Sequence, residues 1–401
     1  MKLNIIFALS LMIILGAESI ASEPPKPAIW SIELIDAKVD RIKSGEHFAF
    51  YDQIKREADK IVREVGNPSV MDKVTTAKSG DKHDYMSLSR YWWRNPNTAD
   101  GLPYVRHDGE SNPEINDYDR NSLSRLSSSV RVLSLAYYIS GEQRYAQRAM
   151  SRLRTWFIDP ETRMNPNLNF AQVRRGHNSD EGTQFGVLDG YSFVEMLDAV
   201  TLLEIRGVMP QTLCDSLHCW FGEFTDWMLT SKQGVAEGRG NNNHAVGYDI
   251  QLVRYAIYGG RDSLAREVID AFPSRRLELQ ITPDGRMPAE LKRTIAFFYS
   301  RYNLEHMIDI CDIAKSMGID DLYSSSDAAI DRAIMWLIPY AKEPPAFPYK
   351  QIGSWDKAIH DFARVLYRAS KYSNSQEEYI SAYEMLKSPR EESMFSFLYM
   401  E

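Results

Sequence analysis

Residues 241–244 read Asn-Asn-Asn-His, Tyr248 follows, and further along PAELKRTIAFFYSRYNLEHM supplies Lys292, Arg293, Tyr299 and Tyr302. Amides, an imidazole, a guanidinium and phenols can donate to an acceptor and move a proton. Each part alone also has an ordinary use. Asparagine competes for nearby backbone groups and commonly caps a helix. A lone histidine can be structural, and Tyr299 among Phe297, Phe298 and Tyr302 could fill an aromatic core. The two segments gain weight only together.

Other familiar chemistries find no footing. His47, His83, His107, His177, His218, His306 and His360 form no zinc-type spacing with cysteine or carboxylate, and His244 has no partner at i+4, so no metal is expected. There is no glycine-rich phosphate loop, no Gly-x-Ser-x-Gly elbow and no papain-like cysteine, so no cofactor is expected either. A glycoside hydrolase would need two placed carboxylates. Asp180, Glu181, Asp189, Asp249 and Glu290 are available, but none stands in a context distinguishable from surface charge.

The elements that must position these residues are helical. In NSLSRLSSSVRVLSLAYYISG, Leu123, Leu126, Val130, Leu133 and Tyr137 recur at steps of three and four, which gives one apolar helix face ending at Gly141. A second helix follows with Tyr145, Ala149, Leu153 and Trp156 on one face. IQLVRYAIYGGRDSLAREVIDAF repeats the helix-glycine-helix arrangement, and aligning Gly141 with Gly260 also aligns Ala146 with Ala265. Further helical patterns cover 47–65, 187–204, 211–229, 290–317, 328–341, 355–370 and 376–386. Strand-like alternation is scarce. Successive antiparallel helix pairs predict an all-α fold, an α/α toroid in a single domain.

Two long interruptions, 87–117 and 159–186, are rich in Pro, Gly, Asn and Arg, and long irregular loops in compact domains usually work for function. Together with the Asn-His segment they are expected to line one end of the barrel. A third loop, EPPAFPYKQIGSW, introduces the last helices.

Residues 1–22 read as a secretory signal peptide: Lys2, an apolar stretch, then small residues at cleavage spacing. This leaves 23–401 as the exported domain, periplasmic or extracellular. No later stretch has the ~20 apolar residues of a membrane helix. Cys214, Cys219 and Cys311 are expected as free, mostly buried thiols. A formal net charge of −8 disfavours unspecific attraction to nucleic acid or anionic membrane.

Four segments in order, YWWRNPNTADGLPYVRHDGESNPE, NPNLNFAQ, NNNHAVGYDIQ and ELKRTIAFFYSRYNL, resemble the motifs of the alginate lyase-like superfamily of polysaccharide lyases, most of all polysaccharide lyase family thirty-eight. The resemblance spans roughly residues 87–338. It implies an α/α toroid, an anionic polysaccharide substrate built of 1,4-linked uronic acids, and β-elimination without an obligatory metal. It also implies roles: Asn243 and His244 neutralise the uronate carboxylate with Arg293 as a cationic third member, and Tyr299 transfers the proton. Donors aimed at that carboxylate stabilise the enolate-like transition state, each worth about 3 kcal/mol in comparable sites. Tyr302 is the reserve for Tyr299, because a six-residue step from Arg293 does not share a helix face without local distortion.

For binding the polymer, Trp92 and Trp93 offer flat rings, and Arg174, Arg175 and Arg239 offer forks for carboxylates. At least one of the adjacent tryptophans is expected in the barrel wall. Asn169, Gln172 and Gln184 are loop amides of plausible use, and Tyr248 would share the helix face of His244. Alginate is the first substrate implied, with glucuronan as the alternative. A glycoside hydrolase or a non-catalytic polysaccharide-binding protein on the same toroid are the readings from other classes.

Overall fold

The computed structural model of the protein describes residues 26–107, 109–388 and 394–401. Helices α1 (Ile32–Lys43) and α2 (Ala49–Arg63) precede the hairpin of α3 (Arg120–Ser140) and α4 (Gln143–Leu153). The next pair is α5 (Phe193–Ile205) with α6 (Gln211–Thr230), and a short α7 (Lys232–Gly238) leads into α8 (Asn243–Tyr258) and α9 (Asp262–Phe272). After single turns α10 (Glu278–Gln280) and α11 (Pro288–Leu291) come α12 (Ala296–Ser316) with α13 (Ser325–Lys342), α14 (Trp355–Ala369) with α15 (Gln376–Leu386), and α16 (Met394–Tyr399).

Glycine makes the two look-alike hairpins. Gly141 ends α3 at φ 73° and Gly260 follows α8 at φ 71°, a left-handed conformation that a side chain resists. The likeness extends past the turn. Both outer helices widen into one π-helical segment, Arg154–Ile158 after α4 and Pro273–Leu277 after α9, at the same distance from their glycines.

Helices α3, α5, α8, α12 and α14 touch one another in that order, and α4, α6, α9, α13 and α15 lie outside them. Most side chains of α5, α8 and α12 are buried, whereas α2, α4 and α9 bury one face, as inner and outer layers require. Because each hairpin reverses the chain, the inner helices run parallel, and their N-terminal ends gather at one rim. This is the α/α toroid that the periodicity and the resemblance both imply. The positive ends of the helix dipoles make that rim favourable to an anion.

The helical patterns are matched within a few residues, with informative exceptions. The pattern at 187–204 opens as a 3-10 segment, Gln184–Ser192. The one at 290–317 breaks between Leu291 and Ala296. The long loops carry four short strands, β1 (Met86–Leu88), β2 (Trp92–Trp93), β3 (Val105–Arg106) and β4 (Phe170–Val173), too brief to alternate visibly. Strand β1 pairs parallel with β4 and β2 antiparallel with β3, so the two interruptions are stitched together. Gly182 and Gly186 let the chain pass beneath β4: a Cβ there would stand 2.6 and 2.4 Å from the Ala171 carbonyl oxygen. Cys214 and Cys311 are buried, Cys219 is exposed, and all three are free. The signal-peptide stretch, 1–22, lies outside the described residues. Among those described, no helix is long and apolar enough to cross a membrane.

One buried carboxylate ties the start of the described chain to the inner ring. Asp198 on α5 accepts N–H bonds from Ala28, Ile29 and Trp30 at 2.9, 2.8 and 2.9 Å, and from Arg254 Nε on α8 at 3.0 Å. Asp198→Ala would strand the buried Arg254 guanidinium, at an expected cost of about 3–5 kcal/mol. Chemical denaturation measures this, and a loss under about 0.5 kcal/mol, typical of an unengaged surface site, would contradict the assignment.

Candidate active site

The first turn of α8 is held by two acidic residues from elsewhere. Asn242 occupies the N-cap position with extended backbone, but its side chain makes no capping bond. Glu290 on α11 serves instead: its Oε1 accepts the Asn243 N–H at 2.7 Å and its Oε2 accepts Nδ2–H at 2.7 Å. Both residues are 1% exposed, so this contact is dry. Burial pushes the Glu290 pKa up, opposed by the two Asn243 bonds and then by Arg293 and His244. The next residue, His244, places Nδ1 2.6 Å from Oε1 of Glu237, which is itself 1% exposed at the end of α7.

The break before α12 explains how residues six apart can meet. Arg293 lies between α11 and α12, outside either helix, and folds back so that Nη2 donates to the Tyr299 hydroxyl at 2.8 Å. Its guanidinium carbon sits 3.8 Å from the ring centroid of the same tyrosine. A guanidinium this close favours the ionised form of the phenol. It does pull the pKa down, but burial outweighs it and the net direction is up, so Tyr299 rests as a neutral phenol. Glu290 also acts on Tyr299, so one buried carboxylate bonds to Asn243 and its field reaches His244, Arg293 and Tyr299, the other three predicted catalytic residues.

Tyr302 occupies a different setting. Its ring packs on His306 at 4.2 Å and on Phe298 at 5.8 Å, and burial drives its pKa strongly upward. His306 is buried too, with the Asn243 backbone nearby but no well-formed hydrogen bond to either ring nitrogen, and burial pushes its pKa down to about 3. Below these rings the toroid interior continues as a cavity of about 460 Å³. Of its arginines, Arg131 pairs with Glu195 at 2.9 Å, Arg368 pairs with Asp309 at 2.7 Å and Arg364 covers the Phe395 ring at 5.4 Å, and Glu195, Glu305 and Asp309 line it too, so it has little to offer a polyanion.

The opposite wall comes from the stitched loops. Trp92 and Trp93 point to opposite sides of a two-residue strand. Neither lies in the barrel wall, contrary to expectation. Trp92 packs on a small satellite core and receives the Arg174 guanidinium at 4.7 Å, while Trp93 stacks on His107 at 5.9 Å and donates Nε1–H to the Glu110 carbonyl. Arg174 also covers Phe185 at 5.4 Å, and Phe185 meets His244 edge-on at 5.4 Å. Among the described residues no carboxylate pairs with Arg174, and burial, then Arg106, lowers its pKa.

The other predicted binding residues are scattered. Arg175 turns away to Asp180 at 3.3 Å. Gln172, at φ 51°, gives its side-chain N–H groups to the Phe185 carbonyl and to Asp189, both at 3.1 Å. Asn169 accepts from Trp227 Nε1 at 2.8 Å, beneath the loop. Tyr248 is buried, its hydroxyl donating to the Met228 carbonyl at 3.0 Å, and its pKa is pushed up to about 12 by burial and then Asp249. It therefore supports the wall and does not touch His244 or line the groove. Arg239 is exposed just past α7, and Gln184 is half-buried beside Phe185.

Sequence reasoning missed Glu237, Arg120, Tyr91, Phe185 and His306, and it treated Glu290 as surface charge. Arg120, at the start of α3, pairs with buried Asp189 at 3.5 Å and lies near Tyr91 and Tyr302, while Tyr91 in turn acts on Tyr299. Tyr91 belongs to the Tyr-Trp-Trp motif and could have been found there. The acidic residues carry no local signal, since nothing in the chain order marks them as buried. Asp189 and Asp249 likewise prove buried and engaged, Asp249 by a double contact from Arg276 at 2.7 and 2.9 Å. Among the described residues, no group of three or more His, Cys, Asp or Glu side chains could hold a metal ion. The cleft can thus offer an amide, an imidazole and a guanidinium to an anion, with a phenol beside them.

The family model described as alginate lyase matches residues 69–347. A solved alginate lyase from Bacteroides ovatus is 40% identical, with a TM-score of 0.88 over 93% of this chain and 98% of that one. Alginate lyase A1-III from a Sphingomonas species shares the fold at 14% identity and a TM-score of 0.61, covering 94% of this chain and 97% of its own. A variant of that enzyme complexed with a tetrasaccharide aligns at 15% identity and a TM-score of 0.62, over 95% and 98% of the two chains. A comparison with curated protein sequences finds no match. By the extent of the family match, and by the likeness to the Bacteroides ovatus enzyme over nearly its whole length, this chain belongs to the alginate lyase family.

Proposed function

We propose that the protein cleaves alginate by β-elimination at the rim of the toroid, with Asn243, His244 and Arg293 around the uronate carboxylate and Tyr299 as the proton-transfer residue. The observation that carries this is the Arg293–Tyr299 hydrogen bond, 2.8 Å, beside an Asn-His pair fixed by buried carboxylates. The carboxylate beside C5 takes up the developing charge, and hydrogen-bond donors around it stabilise the enolate-like state. The C5–H electron pair becomes the C4=C5 double bond, the C4–O4 bond breaks, and O4 takes a proton. Where H5 and O4 lie on one face of the sugar, the Tyr299 hydroxyl first gives its proton to solvent; the phenolate, stabilised by Arg293, takes the C5 proton, and the phenol so formed gives a proton to O4, which regenerates the phenolate. Where they lie on opposite faces, His244 takes the C5 proton and the Tyr299 hydroxyl supplies the other.

The carboxylates speak against hydrolysis. Asp180, Glu181, Asp189, Asp249 and Glu290 are all engaged, with Arg175, Lys232, Arg120, Arg276 and Asn243 respectively. A hydrolase needs two free to face a sugar from opposite sides. Arg174, held between Trp92 and Phe185, is the strongest candidate for a neighbouring subsite. The ordered motifs favour family thirty-eight within this reading, and the apolar stretch in 1–22 favours export to the periplasm or beyond.

Incubation with polymannuronate, polyguluronate and glucuronan should yield unsaturated, ultraviolet-absorbing ends from at least one alginate block. Saturated products would indicate hydrolysis, and glucuronan alone turning over would change the substrate. Tyr299→Phe should lower kcat by about 10²–10⁴-fold with polymer binding retained; near-normal turnover would move the role to Tyr302 or His244. Arg293→Gln removes the charge opposing the upward push on Tyr299, so the phenol would ionise at still higher pH. The rising limb of its pH–rate profile on polymannuronate should therefore move to higher pH, and a move to lower pH would contradict the Arg293 assignment.

A further inference from the structure

Glu237 holds the His244 ring, and its effect on the protons of that ring lies beyond the reading above. It is almost fully buried at the end of α7, seven residues before His244, and its Oε1 stands 2.6 Å from the Nδ1 of that ring. A buried carboxylate near a polyanion site has a price in desolvation and repulsion, so its placement calls for a specific return. Ionised, it can only accept a hydrogen bond.

Resting on the lyase reading, we infer that Glu237 is a positioning residue that holds the Nδ1 proton of His244 and thereby turns the Nε2 lone pair into the cleft. A neutral imidazole has one donor nitrogen and one acceptor nitrogen. With the donor committed to Glu237, neutral His244 faces substrate as an acceptor. It is then the base for the uronate whose C5 proton lies opposite O4, and His244 passes out of the carboxylate-neutralising group, which narrows to Asn243 and Arg293. Phe185 against the ring edge holds the plane, and Gly247 leaves room for the start of α8 against Leu188 and His306.

The surroundings leave Glu237 as the acceptor for Nδ1. Glu290 acts on His244 from α11 but spends both oxygens on Asn243. Arg293 is committed to Tyr299, and His306 on α12 stays buried and neutral. Arg174 is separated from His244 by the Phe185 ring. Arg275 and Arg276 donate to the Gly238 carbonyl behind Glu237, with Asp249 as the carboxylate partner of both.

The test uses the full enzyme and its Glu237→Gln variant, which keeps shape but can donate as readily as accept. Nitrogen-15 spectra of histidine-labelled protein, taken well above the ordinary histidine titration range, report which ring nitrogen carries hydrogen. The His244 signal, identified by its loss in His244→Gln, should show Nδ1–H in the wild type and a mixture in Glu237→Gln. Turnover on polyguluronate relative to polymannuronate should fall about tenfold in Glu237→Gln, the scale of one misplaced base. An Nε2–H signal in the wild type, an equal loss on both polymers, or a wild type that cleaves polymannuronate alone would overturn the inference. A wild type that cleaves neither polymer yet shows the Nδ1–H signal would instead sink the lyase reading and leave the positioning role standing.

Discussion

A carboxylate with no access to water, bonded twice to a single asparagine, is the contact around which the rim is organised. Leaving Glu290 ionised in this setting carries a desolvation cost of several kcal/mol per ion, offset here by two short hydrogen bonds and by the fields of Arg293 and His244. The arrangement is therefore close to all or nothing. Take away Asn243 and the charge loses both bonds; take away Glu290 and the asparagine amide is free to turn. One Nδ2 hydrogen is consumed by Glu290, which fixes the plane of the amide. The amide is thus held in place by the protein itself, and a group fixed in advance is the kind that contributes most to a transition state.

The toroid supplies the place for this. Parallel inner helices bring the starts of α3, α5, α8 and α12 to one rim, and each contributes there: Arg120, the segment leading to Tyr191, Asn243 with His244, and Tyr299. The loops that precede these helices form the opposite wall, and Asp189 binds them to the ring by accepting from Tyr85, Ser87 and Gln172 beside its ion pair with Arg120. Gln172 holds a positive φ to reach this hub, a modest local strain of the kind that persists where surrounding contacts overdetermine it. Chemistry sits on the rigid helix ends, and breadth of recognition is left to the loops.

What could be read from the chain follows from the range of each signal. Helical periodicity repeats every three to four residues, so α3, α4, α8 and α9 announce themselves, and the glycine alignment extends to paired π turns that no periodicity marks. Strands of two to four residues are below the length at which alternation shows, so β1, β2 and β4 are invisible in the chain, and with β2 the opposite facing of Trp92 and Trp93. The meeting of Arg293 with Tyr299 depends on a break at the head of α12, which a continuous helical pattern conceals. Hardest of all are Glu237 and Glu290. An acidic residue is read as solvated by default, and only the three-dimensional partner, an imidazole in one case and an amide in the other, reveals a different use.

The most direct measurement is the structure of the Tyr299→Phe protein with a bound alginate oligosaccharide. The account predicts a uronate carboxylate within hydrogen-bonding distance, about 3 Å, of Asn243 Nδ2 and the Arg293 guanidinium, with its C5 facing the position vacated by the phenol oxygen. An oligosaccharide seated with its carboxylates on other groups and C5 remote from residue 299 would contradict it.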